Sequence, residues 1–139
     1  MSYCTLSDIQ TRTGSDQLLA LADHDGDGSP DQAVVDRAID DAESLINSYL
    51  GARYSVPLDD TPDSIRACAV SLAVYFLQLG RDSVTPDVRA DYESQLGWLE
   101  EVARGQVSLG TAAEPDRDPE APGVRYDGAT RLFGRERPL

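Results

Sequence analysis

Four aspartates lie close together in the stretch DHDGDGSPD, which runs from residue 23 to residue 31. Asp23, Asp25, Asp27 and Asp31, together with Gly28, complete the pattern D-x-D-x-D-G-x-x-D. A hard cation such as Ca²⁺ prefers carboxylate and carbonyl oxygens and takes roughly six to eight of them. Without a cation, four carboxylates this close in sequence repel one another. The spacing therefore predicts a candidate calcium-binding loop at these four aspartates.

An acidic turn without metal is the alternative interpretation of the same stretch. An EF-hand does not fit, because its last ligand position would fall on the apolar Val34 and Pro30 occupies a position normally held by Ile. Asp and Gly also favour turns, and an Asp near the start of a helix is stabilised by the helix dipole. The sequence leaves both readings open. Any bound calcium is expected to be structural, and no cofactor is expected to be required.

Catalytic chemistry finds little support elsewhere in the chain. His24, the single histidine, lies in the acidic stretch, and no sequence motif pairs it with a nucleophilic serine or cysteine. The paired acids Asp40-Asp41 and Glu100-Glu101 fall in stretches whose apolar residues have helical spacing, so they belong on solvated helix faces. No Gly-rich dinucleotide pattern, P-loop or HExxH motif occurs. We therefore predict that the protein is not an enzyme.

Cysteine content and hydropathy predict a reduced, soluble protein without a membrane partner. Cys4 and Cys68 lack metal-ligand spacing, and Cys68 lies within a helical apolar pattern where a thiol behaves as a small hydrophobe. No hydrophobic run follows a basic start, so no signal peptide is expected. The most apolar stretch, residues 67–79, is too short to span a bilayer.

The charge is strongly negative and unevenly distributed. The chain has 25 acidic residues, mostly Asp, and 12 basic residues, all of them Arg. Residues 1–110 carry 19 acids and seven arginines, a net charge of −12. Such a body does not bind nucleic-acid phosphates by charge, although it could line a passage through which DNA slides. The lysine-free, Asp-rich composition suggests a host adapted to high salt or, alternatively, a GC-rich genome.

Apolar periodicity predicts an all-α fold, a small bundle of four to five helices within residues 1–110. The stretch from Val34 to Leu50 has one apolar and one charged face, whereas the stretch from Ile65 to Leu77 is apolar around most of its circumference. The second stretch should therefore lie at the centre of the bundle. Expected helix starts are Thr5, Ser15, Ser29, Thr61 and Thr85, and expected ends are Gly14, Gly51, Gly80 and Gly105.

The composition changes after Gly110. The following stretch, TAAEPDRDPEAPGVRYDG, has three prolines and few large apolar groups, so residues 111–139 are predicted to form an extended or disordered arm. Large apolar groups return at Leu132 and Phe133, between Arg131 and Arg135. Apolar side chains of this size are costly to leave in water. These four residues are predicted to be a partner-binding segment, and residues 131–135 are called the hook below.

Three stretches identify a family resemblance. In order, YCTLSDIQTRTG, DQAVVDRAIDDAESLINSYLGARYSVPL and YESQLGWLEEVARGQVSLG resemble a family of Mu-like phage and prophage proteins treated as head–tail connector, or adaptor, subunits. The likeness covers nearly all of residues 1–110. The lysine-free, Asp-heavy surface departs from the family and suggests a virus of a halophilic host. The residues that carry the likeness are Tyr49, Leu50, Arg53, Tyr54, Pro57, Leu58, Gly105, Leu109 and Gly110.

The resemblance implies a structural virion protein of the neck, made in the host cytoplasm. Adaptors of this kind are small helical bundles that form a homo-oligomeric ring, usually dodecameric, beneath the portal protein. Genome DNA passes through the ring without specific binding, and extended termini commonly reach a neighbouring neck or tail ring. Two alternatives remain at this point: a virion stopper or tail-completion protein, and a small calcium-responsive binding module that uses residues 23–31.

Overall fold

The computed structural model describes residues 2–110, and these residues contain five α-helices and no strand. The all-α prediction is therefore confirmed for the described part of the chain. The predicted arm, residues 111–139, lies outside the described residues. The helices are α1 (Leu6–Thr13), α2 (Ser15–Ala22), α3 (Gln32–Leu50), α4 (Asp63–Gly80) and α5 (Pro86–Ala103).

Two helices begin with the side-chain caps that the sequence predicts. At α1, the Asp8 backbone N–H donates to Thr5 Oγ1 at 3.3 Å, and the Thr5 N–H donates to Asp8 Oδ2 at 2.9 Å. At α5, the Val88 N–H donates to Thr85 Oγ1 at 3.2 Å, and Pro86 occupies the first helical position. These bonds satisfy N–H groups that would otherwise have no partner at the start of a helix.

The predicted start of α3 at Ser29 is wrong, because the helix begins at Gln32 after the extended residue Asp31. The Asp31 N–H donates to the Ala22 carbonyl at 2.8 Å, and the Asp31 carboxylate accepts the His24 N–H at 3.0 Å. These contacts hold the residues before α3 in the preceding loop. Smaller shifts occur at α2 and α4, where Gly14 and Pro62 rather than Ser15 and Thr61 precede the helix.

Helix α4 lies at the centre of the bundle, as its apolar circumference predicts. Eleven of its 18 residues are buried, and it packs against each of the other four helices. Its two buried polar side chains have partners: Arg12 donates to Ser71 Oγ at 3.0 Å, and Gln78 Oε1 accepts the Thr85 N–H at 3.1 Å. No helix within residues 2–110 combines the length and the apolar character needed to cross a membrane.

The surrounding helices cover α4 to different extents. Helix α3 buries one face, which includes Val35, Ile39 and Ile46, and leaves its acidic face in water. Helix α5 is fully buried only at Leu99 and Val102. Its N-terminal half is held instead by aromatic contact, since the Tyr92 ring stacks on Tyr75 of α4 with centroids 3.8 Å apart.

Both cysteines have free thiols and lie in the core, which the helical apolar pattern predicts for Cys68. Burial raises the pKa of the Cys4 thiol to about 12, and burial also raises the pKa of Cys68 to about 12. A thiol with so high a pKa forms almost no thiolate near neutral pH and is therefore inert to alkylation and disulfide exchange in the folded protein.

Two buried tyrosines tie the non-helical segments to the bundle. The Tyr3 hydroxyl donates to Asn47 Oδ1 on α3 and accepts the Leu58 N–H at 2.9 Å. The Tyr54 hydroxyl accepts the Leu109 N–H at 3.1 Å, which fixes where the chain leaves the body. Nearby, Gly105 has a φ of +82°, a left-handed conformation that glycine adopts without strain, and the guanidinium of Arg53 lies beside it.

Replacement of Tyr3 by Phe tests the first of these ties. Tyr3→Phe leaves the buried Leu58 N–H and the Asn47 oxygen without their partner, so we expect a loss of about 1–3 kcal/mol in the free energy of unfolding. Urea denaturation followed by circular dichroism measures it. Tyr49→Phe, which removes a hydroxyl from a half-buried tyrosine of α3, is the matched control and should change stability by less than about 0.5 kcal/mol. Equal effects of the two substitutions would contradict a structural role for the Tyr3 hydroxyl.

Candidate functional site: an acidic loop beside an apolar groove

The acidic loop, residues 23–31, connects α2 to α3. It folds around one side chain, because the Asp23 carboxylate accepts N–H groups from Gly26 at 2.8 Å, Asp27 at 3.2 Å and Gly28 at 3.0 Å. Gly26 and Gly28 have φ values of +77° and +84°, a left-handed conformation that glycine adopts without strain. Asp23 is therefore the centre of the loop.

The other three aspartates also accept backbone hydrogen bonds. Asp25 Oδ1 accepts the Asp27 N–H at 3.1 Å, and Asp27 Oδ1 accepts the Ser29 N–H at 2.8 Å. Asp31 Oδ2 accepts the His24 N–H at 3.0 Å across the base of the loop. Carboxylates that bond to N–H groups a few residues later form Asx turns, which need no metal. This pattern agrees with the acidic-turn interpretation.

The same fold also brings the four carboxylates together. One oxygen from each of Asp23, Asp25, Asp27 and Asp31 lies within 4.8 Å of the others. A carboxylate has two oxygens and about four lone-pair sites, so each can accept an N–H and still offer a ligand atom. The arrangement is therefore compatible with an oxygen-ligated cation, and the spacing in the sequence correctly predicts the convergence.

The close packing of the loop shifts the pKa values of Asp23 and Asp25 in opposite directions. Partial desolvation raises the pKa of Asp23. The hydrogen bonds from Gly28, Asp25, Gly26 and Asp27 outweigh this effect and hold that pKa below its ordinary value. The hydrogen bond from the Asp27 N–H lowers the pKa of Asp25. The shared hydrogen bond with Asp23, desolvation and the charges of Asp27 and Asp31 outweigh it, so the pKa of Asp25 is raised above its ordinary value. Asp25 thus takes a proton more readily than Asp23 does.

An apolar groove of about 430 Å³ opens beside the loop, between the start of α3 and the end of α4. Val34 and Ala38 form one side, Phe76 and Leu77 form the other, and Leu79 stands at the mouth with 49% of its surface exposed. Sequence periodicity did not predict the groove, because the groove depends on how α3 and α4 pack against each other. The remaining lining residues are His24, Ala33, Arg37, Asp41 and Gly80.

The predicted partner-binding residues Arg131, Leu132, Phe133 and Arg135 lie outside the described residues.

The only histidine is exposed, and its Nε2 lies 3.3 Å from the Leu21 carbonyl oxygen. The two thiols are buried away from it in the core. Within residues 2–110, the acidic loop gathers four carboxylates and the groove beside it exposes apolar side chains.

Comparison with known proteins agrees with this helical architecture. The family model described as "Bacteriophage Mu, Gp36" matches residues 3–127. The chain belongs to this family. The match extends beyond Gly110 and stops before the hook, so the Mu Gp36 match covers the helical body and part of the arm without residues 131–135.

Two curated members of the Mu Gp36 family are similar over most of their length. The Mu-like prophage FluMu protein gp36 of Haemophilus influenzae is 36% identical over 107 residues, which cover 77% of this chain and 74% of that protein. Gene product J of Escherichia phage Mu is 34% identical over 122 residues, which cover 84% of each chain. The predicted relationship to Mu-like phage proteins is thereby confirmed at the level of the family, and the protein is a phage-related protein.

Proposed function

We propose that this protein is a structural, non-enzymatic subunit of the phage virion, a head–tail connector that forms a homo-oligomeric ring, most simply dodecameric, beneath the portal. The observation that carries the proposal is membership of the Bacteriophage Mu, Gp36 family over residues 3–127. The resemblance of its motifs to adaptor subunits supplies the specific role. A small five-helix body with an additional C-terminal segment suits such an assembly, since many weak contacts between identical subunits give a stable joint.

The charge of the body supports a passage for DNA. The exposed face of α3 carries Asp36, Asp40 and Asp41, and residues 1–110 have a net charge of −12. Phosphates are held by Lys and Arg, so an acidic wall would let DNA slide without being trapped. The proposed partners are therefore other copies of the chain, the portal protein and the next neck or tail ring, with no specific nucleic-acid contact and no membrane. The proposed location is the virion neck.

The hook gives the ring a proposed means of assembly. Leu132 and Phe133 can be buried in a partner, while Arg131 and Arg135 can pair with acidic surfaces. A stopper or tail-completion protein would share the family and the helical body, but it would contact the connector ring rather than the portal itself. Binding to the portal therefore separates the two virion roles.

Co-sedimentation with the portal protein encoded in the same genome tests the connector. Purified full-length chain should pellet with the portal in molar salt, and Leu132→Ser with Phe133→Ser should reduce the bound fraction by roughly tenfold, because the ring loses its multivalent contacts. Val124→Ser, an apolar-to-polar change in the same segment, is the control and should bind as wild type does. Failure of the wild-type chain to bind the portal in any condition would contradict the portal-facing connector.

Calcium binding by the acidic loop is a second proposal, favoured by the convergence of four carboxylate oxygens within 4.8 Å. A cation there would neutralise their repulsion and fix the loop at the start of α3. Its role in the connector would be structural. Portal binding that requires calcium would instead favour a calcium-responsive binding module, so the co-sedimentation should also be run with a chelator.

Titration of the full-length chain with CaCl₂, followed by calorimetry, tests the loop. We expect Asp25→Asn to weaken binding by roughly tenfold or more because one of the four charged ligands is lost. Asp16→Asn, an exposed aspartate in α2, is the control and should bind as wild type does. Because the pKa of Asp25 is raised, protons compete with the cation, and affinity should fall as pH is lowered from neutral towards the carboxyl range. Absence of any calcium heat at millimolar concentration would leave the metal-free turn as the correct interpretation.

A further inference from the structure

We propose that residues 86–97 of α5 form a strap that detaches from the body by local unfolding while the rest of the helix stays in place. The strap runs from Pro86 to Gly97, and its release would expose Tyr75 and Phe76 of α4 to water. The inference concerns a second conformation of the helical body. It goes beyond the proposed function and does not depend on the connector role or on calcium binding.

The two parts of α5 are buried to different extents. Leu99 and Val102 are the fully buried residues of this helix, and both follow Gly97. Segments with few fully buried side chains open at the lowest cost in free energy. The strap is therefore the part of α5 that can open alone. The half-buried residues of the strap are Val88, Asp91, Tyr92, Gln95 and Leu96.

The inner side of the strap also carries polar groups. Gln95 Nε2 donates to Asp91 Oδ1 at 3.4 Å, and both side chains are half-buried. Burial raises the pKa of Cys68 and the charge of Asp91 raises it further, so this carboxylate lies on the side of α5 that faces α4. Partial burial of a carboxylate and an amide is costly. It therefore reduces the free energy gained when the strap packs onto α4.

Aromatic contacts hold the strap in its closed position. The Tyr92 ring stacks on Tyr75 with centroids 3.8 Å apart and meets the Phe76 ring edge-on at 6.2 Å. The guanidinium carbon of Arg89 lies 6.0 Å from the centroid of the Tyr75 ring, at the limit of a cation–π contact. An aromatic pair adds less stabilisation than the full burial of a large apolar side chain does. The strap is therefore held more weakly than the part of α5 that contains Leu99 and Val102.

Gly97 has no packing reason to be glycine. It is exposed in the interior of α5, and a Cβ built there has open space around it. Glycine in the interior of a helix is less favourable than alanine, because it loses more conformational freedom when the helix forms. Gly97 therefore weakens the helix at the junction between its half-buried and its fully buried parts.

The strap stays attached to the body at both ends. Before it, Gln78 of α4 holds the connecting residues, since its Oε1 accepts the Thr85 N–H at 3.1 Å and its carbonyl accepts the Ser83 N–H at 2.9 Å. After it, the fully buried part of α5 remains packed in the core. Release of the strap is thus local, and the other four helices keep their contacts with one another.

Native-state hydrogen exchange on the full-length chain tests the strap. Exchange is followed by NMR at single amides, at urea concentrations below the unfolding transition. The compared amides are those of residues 90–97, Val102 in the rest of α5 and Leu72 in α4. We expect the strap amides to share one opening step and to be less protected than Val102 and Leu72 by roughly tenfold or more. Their exchange should depend only weakly on urea, because little surface is exposed when the strap opens.

Substitutions in α5 should change the opening in opposite directions. Gly97→Ala should slow exchange of the strap amides by roughly fivefold, because alanine favours the helical, closed state. Tyr92→Leu, which removes the stacked ring, should speed it by roughly threefold or more. The matched control is Gly80→Ala, another exposed helical glycine with open space for a Cβ, at the end of α4. Helix α4 stays folded when the strap opens, so the control should leave strap exchange within about twofold of wild type.

Four results would overturn parts or all of the inference. Strap amides with the same protection and urea dependence as Leu72 would overturn it, since the strap would then open only with the whole body. Protection that rises residue by residue from Pro86 would also overturn it, because that result describes fraying of a helix end. Opening of the strap together with Val102 would overturn Gly97 as the boundary. Equal slowing by Gly97→Ala and Gly80→Ala would overturn Gly97 as the weak point.

Discussion

Helix α4 is apolar around most of its circumference, so other helices must surround it to bury its apolar side chains. Eleven of its 18 residues are buried, and each fully buried Val, Leu or Ile among them contributes roughly 1.5–3 kcal/mol. The amphipathic face of α3, the C-terminal half of α5 and the short helices α1 and α2 supply the cover. These helices bury α4 as far as Leu77. Leu79 remains exposed, because only the first residues of α3 lie beside this end of α4. The groove is the place where the burial of α4 is incomplete.

Polar ties hold the connecting segments against this core. Tyr3 joins the N-terminal segment to α3 and to Leu58 in the loop before α4, and Tyr54 in that loop receives the Leu109 N–H at the end of the body. Several residues that carry the family resemblance thus have structural reasons for their type. The Tyr54 hydroxyl accepts a backbone hydrogen bond, Leu58 is buried in the core, and Gly105 has a positive φ that favours glycine.

The sequence was sufficient to predict a bundle of four to five helices, the central position of α4 and the capping residues Thr5 and Thr85, because these follow from local periodicity and capping chemistry. It failed at the start of α3, where contacts from Asp31 to Ala22 and His24 override the Ser29-Pro30 start signal. The convergence of the four loop aspartates was predictable from spacing. The groove was not, since it depends on how far two helices distant in sequence overlap.

These features agree with the proposal that the molecule is a phage connector. The helical body is acidic, the hydrogen bond to Tyr54 holds Leu109 against it, and the apolar groove leaves Leu79 exposed. Cryo-electron microscopy of the intact virion tests this account most directly. It predicts a ring of five-helix bodies immediately beneath the portal, with the acidic face of α3 towards the channel or towards a neighbouring subunit. A neck in which that position is filled by another protein, with this chain elsewhere or absent from the particle, would contradict it.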